Sequence, residues 1–253
     1  MIRLIKTGLG FGKSGLLPAF LFGALFAGPA AAQTDHHHAL YLDALAVVEK
    51  GEERIALEME RIRRGEVAHF DFLQHQYIEL LRHSRALSHP PVFLNTDARA
   101  DVVASSEALG RAVESLDLVI ADFLRAQAEL GSALSNTRDI ASRWTAGLSD
   151  PVEQVQLRQL GNAAAAFSSD NSRENLVALD AAFERVLTSQ EGMDWKAELA
   201  LQQQLIRLNQ GGPAEALLRL RELHINALAR RVSESYAAAH EESGDTAIEA
   251  AGD

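Results

Sequence analysis

The chain contains no cysteine. That excludes thiolate metal sites, iron–sulfur clusters, thioether-attached haem, a cysteine nucleophile and any disulfide framework. Clustered positive charge is also lacking. The 24 Lys and Arg face 35 Asp and Glu, for a formal charge of −11 and a pI near 5.3. Phosphate binding needs a cationic face, so nucleic acid is not an expected partner. Aromatic residues make up only 6% and proline occurs six times in 253 residues. There is no alternating β pattern of useful length and no Asn-Gly or Asp-Gly hairpin turn. Gly-x-Ser-x-Gly, His-Glu-x-x-His and a phosphate-cradling glycine loop are missing as well; Gly8, Gly10 and Gly12 fall in the N-terminal segment. No enzyme is expected. What the chain has in quantity is apolar surface: 47% of residues are hydrophobic, mostly Ala and Leu, too many for a disordered chain.

Residues 1–32 read as a secretory signal peptide. Arg3, Lys6 and Lys13 form a positive start, Leu16 to Gly28 is a short apolar run, and Ala30 and Ala32 place small residues before a cut that leaves Gln33 first. The run holds about a dozen residues where a membrane span needs about 20. No second such run follows, so the expectation is a soluble periplasmic protein with no membrane span after cleavage. Loss of the three cations takes the formal charge from −11 to −14.

The four remaining prolines, Pro90, Pro91, Pro151 and Pro213, fall where apolar periodicity stops. Proline inside a helix costs about 3 kcal/mol, so these positions mark connections. Softer breaks lie at Gly65, at 168–172 and at Gly192. Between breaks the period is helical. Tyr41, Leu45, Val48, Ile55, Met59 and Ile62 step by three and four, with Glu52 the one polar intruder. Phe70, Leu73, Tyr77, Leu80, Ser84 and Leu87 follow in a new register. The longest stripe is Leu109, Val113, Leu116, Ile120, Phe123, Gln127, Leu130, Leu134, Thr137, Ala141, Trp144 and Leu148; its heptad step predicts supercoiled packing. Shorter stripes are Leu176, Leu179, Phe183 and Leu187, then Leu199, Leu205 and Leu208, then Leu217, Leu220, Leu223, Leu228 and Val232. A helix over about 96–147 would be roughly 75 Å long, about twice its neighbours. The expected fold is therefore all-α and elongated: two stacked antiparallel helical bundles over 33–241 sharing one long helix, followed by an acidic flexible tail at 242–253. The other way to clothe that helix is a homodimer.

Four residues on one helix face, Asp71, His75, Glu79 and His83, stand at i, i+4 steps. Imidazoles and carboxylates at this spacing can hold Cu, Ni or Zn, although Arg82 and Arg85 lie close and a solvated polar face has the same pattern. His36, His37 and His38 follow the expected cleavage point and offer a His-rich N-terminus for loose metal binding, or simply a polar tail. Glu66 to His69 matches Glu-x-x-His, but a di-iron bundle needs two copies and there is one. Trp144 and Trp195 read as core or bundle-end packing, and Arg61, Arg63 and Arg64 as a solvated helix end able to hold an anion.

The stretch Leu116-Asp117, Ile120 to Leu130 (IADFLRAQAEL) and Ser132-Ala133-Leu134 resembles the double all-helical ligand-binding (DAHL) sensor domains of bacterial histidine kinases, in which an Asp-Phe pair precedes a polar, Leu-spaced helix. Phe72 to Leu81 before Pro90-Pro91, and Leu199 to Leu220 broken by Gly211-Gly212-Pro213, are similar in layout. The resemblance implies a periplasmic pair of stacked bundles that senses a small molecule or a periplasmic binding protein. No kinase or further membrane helix follows in this sequence, so a free-standing, non-catalytic module binding a small ligand or a partner protein is expected. No cofactor is expected; the alternative is a periplasmic metal-handling protein using the His75/Glu79/His83 stripe.

Overall fold

The computed structural model describes residues 24–67, 70–188 and 193–252, with nine helices and no strand among them. These are α1 (Ala24–Glu49), α2 (Gly51–Arg63), α3 (Asp71–Leu87), α4 (Thr96–Thr145), α5 (Pro151–Ser169), α6 (Arg173–Leu187), α7 (Met193–Asn209), α8 (Gly212–Glu222) and α9 (Ile225–Gly252). The all-α expectation holds, and the long helix is one unbroken run of 50 residues.

Helix α4 starts where Asn95 Oδ1 accepts the Ala98 N–H at 2.8 Å, and stops in the Gly147 turn before Asp150, which caps α5 through the Val152 N–H at 2.8 Å. Pro151 then occupies the first turn, where its missing N–H costs nothing. Along α4 the buried stripe runs Ala98, Val102, Ser106, Leu109, Val113, Leu116, Ile120 and Phe123, then resumes at Leu130, Leu134, Thr137 and Ala141. A second row at sevens, Val119, Ala133 and Ile140, widens the buried face so that helices pack on two sides of the rod.

Two separate cores hang on this helix. The first joins α1, α2, α3, the N-terminal half of α4, α8 and α9. The second joins the C-terminal half of α4 to α5, α6 and α7. Helices α7, α8 and α9 run back along α4 in series: Glu198 lies by Arg143, Gly212 against Ala126, Arg219 on Asp122 and Ser235 on Ser105. This is the stacked, antiparallel arrangement with a shared spine.

The far end of the first bundle is closed by aromatic rings. Tyr41 stacks on Tyr236 at 4.3 Å, His38 lies 4.5 Å from His240, and Phe93 meets His240 edge-on at 5.8 Å. The Tyr41 hydroxyl donates to the Leu87 carbonyl at 3.0 Å. Burial pushes both phenols, Tyr41 and Tyr236, up to about 12.

Several details differ from the sequence reading. The stripe from Tyr41 to Ile62 is broken at Lys50, where Gly51 lets Leu80 approach so closely that a Cβ would sit 2.5 Å from it. The stripe from Leu217 to Val232 is cut at His224, whose backbone turns left-handed at φ 51°. Helix α7 buries Trp195, Leu199, Gln202 and Ile206, leaving Leu208 77% exposed and Leu205 exposed, because the buried face steps by 4-3-4 from Trp195. The tail expected at 242–253 is helical through Gly252, and Ser243 Oγ accepts the Asn95 N–H at 3.1 Å. The expected signal peptide lies mostly outside the described residues; from Ala24 on, the backbone is continuous with α1. The break at Gly192 also lies outside them. No helix among the described residues is long and apolar enough to cross a membrane.

Candidate functional site

The two cores part at a polar layer on α4. Phe123 is the last buried residue of the first core and Leu130 the first of the second; between them the seam position is Gln127, whose Oε1 is buried without a hydrogen-bond partner. The α7–α8 turn crosses α4 at this level. It can do so because position 212 is glycine: a Cβ there would lie 2.7 Å from the Ala126 Cβ. Close contact of the turn with α4 sets Asn209, Glu215 and Arg219 facing Asp122, Arg125 and Glu129 across a cleft of about 290 Å³.

Asp122 organises the charges. One carboxylate oxygen accepts from Arg125 at 2.6 Å, the other from Arg219 at 2.9 Å. Arg219 is 97 positions away in sequence. Its Nε is buried without a partner, and Gln210 in the same turn also buries an unpartnered oxygen. Glu129 and Glu215 make no ion pair among the described residues, so the cleft shows two carboxylates beside an Arg–Asp–Arg triad. The aspartate of the Asp122-Phe123 pair thus lies at the junction of the bundles, while Phe123 closes the first core below it.

The bundles also touch where α2 ends. Gly65, at φ 72°, ends α2 with a Schellman motif in which Gly65 N–H donates to Ile62 O and Glu66 N–H to Arg61 O, each at 3.0 Å. It rests on the end of α5: a Cβ on Gly65 would be 3.2 Å from the Ser168 and Ser169 carbonyls. The arginines here are paired. Arg61 donates to Glu58 at 3.0 Å, Arg63 to Glu60 at 2.6 Å, and Arg64 to Glu60 at 3.2 Å. The Arg63 hydrogen bond holds the Glu60 carboxyl below its usual range. That leaves little free charge for an anion.

On the α3 stripe Asp71 and His75 are exposed, while Glu79 and His83 are half-buried. His75 Nε2 and Glu79 Oε1 are 3.5 Å apart; Asp71 and His83 do not join them, and among the described residues no group of three or more His, Asp or Glu converges on a point where a metal ion could sit. Of the three N-terminal histidines, His36 and His37 are exposed. His38 is not part of a tail: its Nδ1 lies 2.8 Å from the Tyr236 hydroxyl. Glu66 pairs with Arg61 at 3.7 Å, and His69 lies outside the described residues. Trp195 is core and Trp144 packs against it at the far end of the second bundle. Glu52, the polar intruder, caps α9 by accepting the Asn226 N–H at 2.9 Å.

Compared with protein-family models, curated proteins and solved structures, the chain matches none.

Proposed function

We propose that the protein is an exported, periplasmic, non-catalytic binding module of the sensor-domain type, engaging a small ligand or a partner protein where its two bundles meet. The observation that carries this reading is the waist: each bundle has its own core, the two share one rigid helix, and the seam between them is a charged cleft rather than an apolar contact. Ligands of helical bundles sit between helices, at convergent polar groups in otherwise apolar packing. A helix common to both cores also gives a bound ligand a lever, because a shift at Asp122 must be absorbed along α4 or at the α7–α8 turn. The resemblance of residues 116–134 to DAHL domains supports the same reading, since Asp122 sits at this waist.

The reading is tested on the protein recovered from the periplasm without a metal column. An N-terminus at Gln33 and less than about 0.1 equivalent of Cu, Ni or Zn, unchanged by His75→Ala/His83→Ala, are expected. Metal lost in that variant would favour metal handling instead. A turnover abolished by one point substitution, or an uncut chain retained in the cytoplasm, would overturn the proposal.

A further inference from the structure

We infer that the waist cleft is a receptor for a free amino acid or an equally small zwitterion carrying one ammonium and one carboxylate. This rests on the reading of the chain as a binding module and names the ligand class for the same site.

The charge pattern selects the ligand. In the Arg125–Asp122–Arg219 triad two guanidinium groups share one carboxylate, leaving a surplus positive charge and N–H donors not used by Asp122. The Arg219 Nε is among these, buried and unpartnered. A guanidinium fork fits a carboxylate, and one already oriented by Asp122 has lost much of its rotamer freedom before binding. Glu129 and Glu215, without ion pairs among the described residues, supply the complementary pole for an ammonium. A ligand bearing only an anion would meet two carboxylates unanswered, and one bearing only cations would meet the triad's surplus charge. A zwitterion answers both poles. Size agrees: about 290 Å³ holds a free amino acid and is small for a folded partner. The Gly212–Ala126 contact fixes the spacing of the two walls, since any side chain at 212 would force the turn off α4.

Titration calorimetry of the purified protein at neutral pH tests this, with the proteinogenic L-amino acids one by one, and acetate, succinate, ethylammonium and putrescine as single-pole probes. At least one amino acid should bind, with the single-pole probes at least about a hundredfold weaker. Arg125→Gln and Glu215→Gln replace exposed side chains, and each should weaken binding by about tenfold or more with an unchanged circular dichroism spectrum. No binding of any amino acid up to about 10 mM, binding indifferent to both substitutions, or tighter binding of succinate or putrescine would overturn the assignment. Export and processing at Gln33 are read separately, so a correctly exported protein that ignores amino acids removes the ligand class and leaves the binding-module reading standing.

Discussion

The tyrosines show how burial sets chemistry one side chain at a time. The protein has three, Tyr41, Tyr77 and Tyr236, and burial raises all of them, Tyr41 and Tyr236 to about 12. A raised phenol favours the neutral form in the folded state. Its stabilising share is therefore intact below the unfolded value near 10 and is lost as pH climbs through about 12. Tyrosinate absorbance should stay below that of two ionised phenols past pH 10 while the protein is helical, with the Tyr41 and Tyr236 share appearing together with loss of ellipticity. Full ionisation of three phenols near 10 in a still-helical protein would show that the ring cluster is not closed. Gly65 is a second single-residue test. Its left-handed backbone and its contact with the α5 end both resist a side chain, so Gly65→Ala should lower stability by about 1–2 kcal/mol in urea titration. An unchanged midpoint would mean that the α2 turn is free of α5.

Helix α7 shows what a periodicity leaves open in a single element. Leucines at 199, 205 and 208 and the set Trp195, Leu199, Gln202 and Ile206 both step as helices do, and only the neighbours decide between them. The second core takes the latter because Trp195 and Ile206 fall on the face toward α4. Ile206→Ala should therefore cost about 2–5 kcal/mol and Leu208→Ala about 0.5 kcal/mol or less, by the same denaturant titration. Equal losses would contradict the observed face. In α4, Gly110 and Gly131 have nothing within 4 Å of an added Cβ, so they are not needed for close packing. Replacing both by Ala should stabilise the rod by about 1–2 kcal/mol, read as a higher urea midpoint. A loss would point to a bend that the structure does not contain.

For the molecule as a whole, what could be read beforehand followed from local order. The long helix was readable because no proline interrupts its heptads between Asn95 and Thr145, and its length alone demanded two sets of partners. Asp150 directly before Pro151 is a local signal too, and it caps α5. The waist was not readable. Asp122 and Arg219 are 97 positions apart, and an Asp with an Arg three residues on looks like any solvated helix face until the α7–α8 turn folds onto it. The His38–Tyr236 contact spans 198 positions and is hidden for the same reason, and it turns an apparent His-rich tail into part of a bundle end. On the α3 stripe, whose spacing suggested ligands, the structure brings only His75 and Glu79 together, at 3.5 Å.

The shared rod is the feature on which the two cores, the waist and its cleft all depend, and the absence of cysteine makes it directly measurable. Spin labels on Ala104→Cys and Ser142→Cys, both exposed positions on α4, allow the distance between its halves to be read by double electron–electron resonance. The 38 intervening steps put the two sites about 57 Å apart, and a single narrow distribution near that value is expected. A population within about 20 Å, the spacing of a helix folded back beside itself, would contradict the shared-spine architecture.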